Sequence, residues 1–254
     1  MSVILPTYNE RENIGPLIDN ITDLLSNTDY EIIVVDDNSP DGTMNVVEEK
    51  KQFNKRICLV LRTDVRGLTS ALNDGIAHAC GEIVVWMDCD FQMPPSLIPV
   101  LIDKVKNGFD AAVGSRFINE AGDERYDANL EQGFIVWVHK YLSSFICRLT
   151  SKILKINFMD WTSGFIAVKK GVFDRINLYG DYGEYFMYLA HYLVKSGYKI
   201  VEVPYVLEPR KRGTSKTSES YFGIALRGIK YFYAVFKLML LDKNFCSNYK
   251  KKII

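Results

Sequence analysis

The chain of 254 residues carries 31 Lys plus Arg against 31 Asp plus Glu, and 48% of it is hydrophobic. That length and apolar content support one large α/β domain, and the even charge excludes the global basic bias of a nucleic-acid binder, so an anionic partner must be met by a local patch. Cys58, Cys80, Cys89, Cys147 and Cys246 are odd in number and form no C-x-x-C pair, which excludes a disulfide framework and a zinc ribbon and leads us to expect a reducing, cytoplasmic setting.

Hydrophobic periodicity predicts a strand over 2–5, a helix over about 10–26, a strand over 31–35, a helix over about 42–52, a strand over 57–61, a helix over about 67–79 and a strand over 82–87. Such alternation predicts a mainly parallel sheet with helices on both faces. A strand near 110–114 follows, then a polar stretch over 119–132 that reads as a mobile loop, and a long helix over 134–156. Beyond it come a strand over 165–168, a helix over about 182–196, a strand over 198–203 and a basic loop from Arg210 to Lys216. Residues 1–218 are expected to form the catalytic domain, and 219–254 an amphipathic helix with a basic tail. Because Ser2-Val3-Ile4-Leu5-Pro6 runs directly into the first strand, no cleavable signal peptide is expected.

The most informative run is Trp86-Met87-Asp88-Cys89-Asp90-Phe91-Gln92, in which an apolar strand ends in two carboxylates one residue apart. At a strand end, side chains at i and i+2 point to the same side, so Asp88 and Asp90 can share a hard divalent cation, with Gln92 offering a third oxygen. An Asp-x-Asp alone also suits a solvated turn. Its place after a hydrophobic strand matters more, because ligands of open α/β sheets sit beyond the carboxyl ends of the strands. Glu31-Ile32-Ile33-Val34-Val35 ends likewise in Asp36-Asp37, so two strands read as adjacent deliver carboxylates to one edge. Pro6-Thr7-Tyr8-Asn9-Glu10 closes the first strand at the same edge, where Tyr8 can stack on a base, although a plain turn with Asn9 as helix cap fits that run equally well.

Together, Pro6-Thr7-Tyr8-Asn9-Glu10, Val35-Asp36-Asp37-Asn38-Ser39, Asp88-Cys89-Asp90-Phe91-Gln92, Gly114-Ser115-Arg116, Thr162-Ser163-Gly164-Phe165 and the loop Arg210 to Lys216 resemble family-two glycosyltransferases. Within that family the resemblance is to the dolichol-phosphate mannose synthase and polyprenyl-phosphate glycosyltransferase branch. It implies the nucleotide-sugar-binding fold called GT-A and an inverting enzyme dependent on Mg²⁺ or Mn²⁺. It implies base and ribose contacts from Pro6, Tyr8, Glu10 and Asp37, and a metal and diphosphate site at Asp88, Asp90 and Gln92. It also implies cationic and hydroxyl contacts to phosphates from Arg116, Arg210, Arg212, Ser215 and Lys216.

An acceptor phosphate is already anionic and attacks without a strong base, whereas a glycan hydroxyl needs one. Asp160 is the candidate base for a hydroxyl; for a phosphate acceptor it would instead orient a basic side chain. The branch typically shows Trp-x-Arg-Lys and then Ser on the helix after the polar stretch, whereas this chain reads Trp137-Val138-His139-Lys140 and then Ser143. His139 therefore stands at an expected acceptor-phosphate arginine and carries only partial charge near neutrality.

From Tyr221 to Leu241 an apolar segment carries Gly223, Arg227, Lys230, Ala234 and Lys237 along one narrow polar stripe, which predicts a helix lying on a membrane or packing on the domain. The expected function is transfer of a sugar from a GDP- or UDP-sugar to a polyprenyl phosphate at the cytoplasmic membrane face. A glycan hydroxyl acceptor and a non-catalytic nucleotide-sugar-binding subunit are the alternatives, with a homo-oligomer or a membrane-anchored partner as companions.

Overall fold

A computed structural model describes residues 1–124, 130–210 and 221–243, and their side chains except those of 130–139, 221–227 and 243. The strands are β1 (Ser2–Thr7), β2 (Glu31–Asp36), β3 (Ile57–Leu61), β4 (Ile83–Trp86), β5 (Ala111–Ser115), β6 (Gly122–Asp123), β7 (Ile166–Lys169), β8 (Ile200–Pro204) and β9 (Val206–Leu207). The helices are α1 (Arg11–Leu24), α2 (Thr43–Phe53), α3 (Leu68–His78), α4 (Leu97–Lys106), α5 (Leu130–Leu154), α6 (Glu184–Lys195) and α7 (Tyr221–Lys243).

Seven strands form one sheet in the order β3-β2-β1-β4-β7-β5-β8. It is parallel except for β7, which runs antiparallel to both β4 and β5. Successive side chains of a strand face opposite sides, and both sides here are apolar. Val3, Leu5, Ile32 and Val34 pack with Ile14, Leu17 and Ile18 of α1 and Ile98 and Leu101 of α4. Ile4, Ile33, Val35 and Trp86 face the other way, toward Leu72 and Ile76 of α3 and the aromatic α6. Gly75 lets α3 lie close on β1, since a Cβ there would collide with Ile4.

One element is added and two expectations are corrected. Helix α4 was not predicted; Leu97–Lys106 is helical because Pro99 falls in the first turn, where its missing N–H is not needed. The polar stretch is not a loop throughout: Gly122 and Asp123 pair in parallel with Val206 and Leu207, and α5 begins at Leu130. Strands β2 and β4 are not neighbours, for β1 lies between them.

The same order positions the site. The chain winds from β1 outward through β2 and β3, then returns to place β4 on the other side of β1. Such a reversal opens a crevice at the carboxyl ends of the two strands concerned. The loops carrying Tyr8 and Glu10, after β1, and Asp88 and Asp90, after β4, emerge at that crevice.

α7 packs on α5 and α6, burying Ala234, Val235 and Leu238. Ala234 therefore faces the domain rather than a polar stripe, while Lys237 lies over the rings of Tyr179 and Tyr188 at 4.1 and 5.2 Å. Among the described residues no helix is long and apolar enough to cross a membrane.

Candidate active site

The loop after β1 is fixed by the loop after β2. Asn9 N donates to Ser39 Oγ at 2.9 Å, Glu10 N to Thr43 Oγ1 at 3.0 Å and Arg11 N to Asp41 Oδ2 at 3.0 Å. These bonds satisfy N–H groups at the start of α1, which a helix leaves without internal partners. Asn9 is not the cap; it sits in the left-handed region at φ 56° and turns the chain into the helix. Asp36 is spent on structure, accepting from Thr7 Oγ1 and from the Ser39 amide and hydroxyl.

Asp37 is buried and accepts from Gly67 N at 2.8 Å, with Arg62 Nη1 3.0 Å away. Burial pushes its carboxyl above the usual range, and the Gly67 amide and Arg62 pull it back. Arg62 is itself buried and also pairs with Asp74 at 3.0 Å. Arg66 lies over the Tyr8 ring, 5.1 Å from its centroid. Sequence reasoning missed both arginines. The signal was present, since Arg62 follows β3 as directly as the acids follow β2 and β4.

Asp90 is buried; its Oδ1 accepts from Gln92 N at 3.1 Å and its Oδ2 from Arg210 Nη2 at 2.8 Å. Phe91 takes a left-handed turn at φ 61° between them. The same Arg210 nitrogen is 3.8 Å from Glu10 Oε1. Asp88 is exposed at its surface but hemmed in by protein, and its carboxyl is pushed up to about 7 by loss of surrounding water, with the charges of Asp90 and Glu10 adding to it and Arg210 and Arg116 opposing. Because part of Asp88 stays open to solvent, repulsion among the three carboxylates is the firmer cause. Gln92 engages through its backbone, donating to Asp90 and accepting from Glu208 N at 2.9 Å.

This donor set suits a hard cation. Repelling carboxylates at a strand end gain most from a positive ion, and two of them with substrate phosphate oxygens are how Mg²⁺ is commonly held. No group of three or more His, Cys, Asp or Glu among the described residues forms a complete metal cage. A cation here would therefore draw further ligands from a diphosphate.

The second cluster lies across β5. Arg116, just past the strand, meets the fully buried Asp160 in a fork: Nε to Oδ2 at 2.8 Å and Nη2 to Oδ1 at 2.7 Å, with the Arg116 backbone N also on Oδ2 at 2.9 Å. Asp160 raises the Arg116 pKa still further against its burial. Both oxygens of Asp160 are thus engaged, and the carboxylate proposed as a base for a hydroxyl acceptor is in this structure the holder of a guanidinium. Arg116 Nη2 donates also to Thr162 Oγ1 at 2.8 Å, and Thr162 meets Ser143 Oγ of α5 at 2.8 Å. Among the described residues Arg116 Nη1 has no partner, so one nitrogen of the fork is left for a ligand. The loop is anchored by Trp161, whose Nε1 donates to Ser151 Oγ and Phe158 O.

Tyr8, Glu10, Asp88, Asp90 and Arg210 thus gather at the β1/β4 crevice, and Pro6 joins them through its carbonyl, which accepts from Cys89 Sγ at 3.4 Å. Arg116, Asp160 and Ser143 form the second cluster, close enough that the Arg116 charge is felt at Asp88. The side chain of His139 and all of Arg212, Ser215 and Lys216 lie outside the described residues.

Comparison with known proteins identifies the family and the fold. Residues 2–176 match Glycosyl transferase family 2. A dolichol-phosphate mannosyltransferase of Pyrococcus furiosus is 38% identical over 220 residues, covering 85% of this chain and 58% of that protein. A polyprenol monophosphomannose synthase of Mycolicibacterium smegmatis is 29% identical over 240 residues, covering 90% and 86%. The chain therefore spans less than two thirds of the archaeal relative's length. Among solved structures, glucosyl-3-phosphoglycerate synthase from Mycobacterium tuberculosis, crystallised with Mn²⁺, uridine diphosphate and phosphoglyceric acid, aligns with a TM-score of 0.69 at 17% identity, covering 94% of this chain and 78% of that one. That likeness is one of fold, and it bears out the α/β, GT-A architecture expected from the sequence. With a match over residues 2–176 of 254 and strand-end acids at the switch point of the sheet, the chain belongs to glycosyl transferase family 2.

Proposed function

We propose that this chain is an inverting glycosyltransferase that moves a sugar from a nucleoside-diphosphate sugar to a polyprenyl phosphate at the cytoplasmic face of a membrane, using Mg²⁺ or Mn²⁺. The observation that carries the proposal is the pairing of two unlike clusters: carboxylates without enough positive charge at Asp88 and Asp90, beside an Arg116 guanidinium forked onto Asp160 through Nε and Nη2. The names of the archaeal and mycobacterial relatives support the acceptor class.

Asp88 and Asp90 would hold the cation, which neutralises negative charge building on the departing diphosphate as the sugar C1–O bond breaks. Tyr8 and Arg66 would supply an aromatic face and a cation for the base, and Asp37 would contact the ribose. Arg210 is within reach of both Asp90 and Glu10 and would exchange part of that contact for phosphate oxygens. On the acceptor side, Arg116 Nη1 and the Ser143–Thr162 hydroxyl pair offer donors to a phosphate monoester. Such a group is already charged, so the engagement of Asp160 by Arg116 costs the reaction nothing. The exposed apolar residues Ile229, Phe232, Tyr233, Phe236 and Leu240 of α7 recur at helical spacing and suit contact with a lipid surface.

The test is transfer from a panel of labelled GDP- and UDP-sugars to a short polyprenyl phosphate, with Mn²⁺ or Mg²⁺ and with EDTA. A cation-dependent, chloroform-soluble product is expected. Cation-dependent donor hydrolysis without lipid product would move the acceptor to a glycan, the reading that His139 favours. Donor binding without hydrolysis or transfer would make the chain a non-catalytic subunit.

A further inference from the structure

Glu202 lies in the middle of β8, opposite Val113 of β5, and sequence alternation gives it no role. Its carboxylate accepts from two consecutive backbone amides of the loop that carries Asp160: Met159 N to Oε2 at 2.8 Å and Asp160 N to Oε1 at 2.9 Å. Asp160 then accepts from the backbone N, Nε and Nη2 of Arg116 and from Thr162 N at 3.2 Å. Arg116 reaches Thr162 Oγ1, and Thr162 reaches Ser143 of α5. A continuous run of hydrogen bonds therefore leads from β8 through the loop to the guanidinium and on to the acceptor-side helix.

We propose that Glu202 is a positioning residue for Arg116: by clamping the Met159 and Asp160 amides it sets the height of the Asp160 carboxylate, and so fixes which guanidinium nitrogen, Nη1, faces a bound phosphate. The inference rests on the acceptor reading above for its functional consequence, though not for its geometry.

The choice of a carboxylate supports this. A neutral amide offers one acceptor atom and would turn its NH₂ toward the other backbone N–H, whereas a carboxylate accepts from both. That choice places a second negative charge beside Asp160; burial, with the Asp160 charge, pushes the Glu202 carboxyl above its ordinary range, while Ser115 and the two amides pull it down. With the Asp160 amide held by Glu202 and the Asp160 carboxylate forked onto Arg116, the guanidinium has little freedom to swing away. Supporting groups of this kind decide whether a binding side chain is held to within a fraction of an ångström.

The experiment compares Glu202→Gln with the wild-type chain by two independent readings. The first is the ¹⁵N–¹H signal of Arg116 Nε, assigned with Arg116→Lys; in the wild type it is protected from exchange by Asp160, and in Glu202→Gln it exchanges at least about tenfold faster. The second is steady-state transfer: the acceptor KM rises about tenfold and kcat falls about tenfold, while Mn²⁺-dependent binding of GDP or UDP stays within about twofold. An unchanged Arg116 signal together with an unchanged acceptor KM in folded Glu202→Gln overturns the proposal. If that variant does not fold, Glu202→Asp, whose shorter side chain reaches one amide, is expected to show the same split at smaller size; equal losses in donor and acceptor parameters would assign Glu202 to the fold alone. Should the wild type give no lipid product with any donor, the acceptor reading fails, and the Arg116 signal still decides the positioning claim.

Discussion

The two halves of the site treat charge in opposite ways. At the β1/β4 crevice, Glu10, Asp88 and Asp90 are set close together with Arg210 as the cation within contact distance, and their repulsion helps lift the Asp88 carboxyl to about 7. Across β5, Arg116 and Asp160 satisfy each other through a two-pronged pair that the protein completes from Glu202, Thr162 and the backbone. One region is built with a deficit that an incoming cation and diphosphate would make good. The other is finished before any ligand arrives. On the proposed function, the difference would separate binding that depends on a metal from binding that depends on preorganisation.

The largest effect expected from breaking this contrast is at Asp90. Asp90→Ala should lower transfer by about 10³-fold while leaving the thermal unfolding temperature near that of the wild type, because the side chain serves the crevice rather than the core; retained activity would remove Asp90 from the metal site. Asp160→Asn should act differently, lowering stability by about 3 kcal/mol, since it leaves a buried guanidinium without its counter-charge, and reducing transfer per folded molecule by about 100-fold. Thermal melts and acceptor titrations would separate the two, and a variant as stable as the wild type would contradict the pairing drawn here.

Proton competition offers a gentler probe. With Asp88 near 7, the proton and the cation compete below that pH, so Mn²⁺ affinity measured by titration should rise by up to about tenfold per pH unit below 7 and level off above it. Asp88→Asn should flatten the profile, and a flat wild-type profile would assign the cation elsewhere. On the membrane side, replacing exposed Ile229 and Phe236 together by serine should weaken liposome binding by about tenfold without unfolding the chain, since neither side chain is buried in the domain. Deleting the whole helix would be a poorer test, because Ala234, Val235 and Leu238 pack inward. The smallest effect should be at Arg66→Ala, about a threefold loss in nucleotide affinity from removing an exposed cation over Tyr8.

The crevice was legible in the sequence because it is made of strand ends. Asp37, Asp88 and Asp90 interrupt β-branched runs abruptly, and a parallel sheet brings such interruptions to one edge whatever the loops do. The sheet followed from the same runs, apart from the antiparallel β7, whose direction depends on the return of α5 and leaves no mark on local periodicity. Arg62 escaped notice because a basic residue after a strand resembles ordinary surface. Glu202 escaped because a charge in the middle of an edge strand normally points to solvent, and only the fold of the loop at 158–162 brings two amides down onto it. Helix α4 was hidden by prolines that mark turns in most contexts and a first helical turn in this one.

The central claim is that a cation-dependent donor site faces an acceptor that needs no base. It is tested most directly by offering polyprenyl phosphate and the corresponding polyprenol side by side, with labelled nucleotide sugar and Mn²⁺. The account predicts a chloroform-soluble glycosylated product from the phosphate alone, abolished by EDTA. Equal glycosylation of the alcohol, or transfer that survives EDTA, would contradict it.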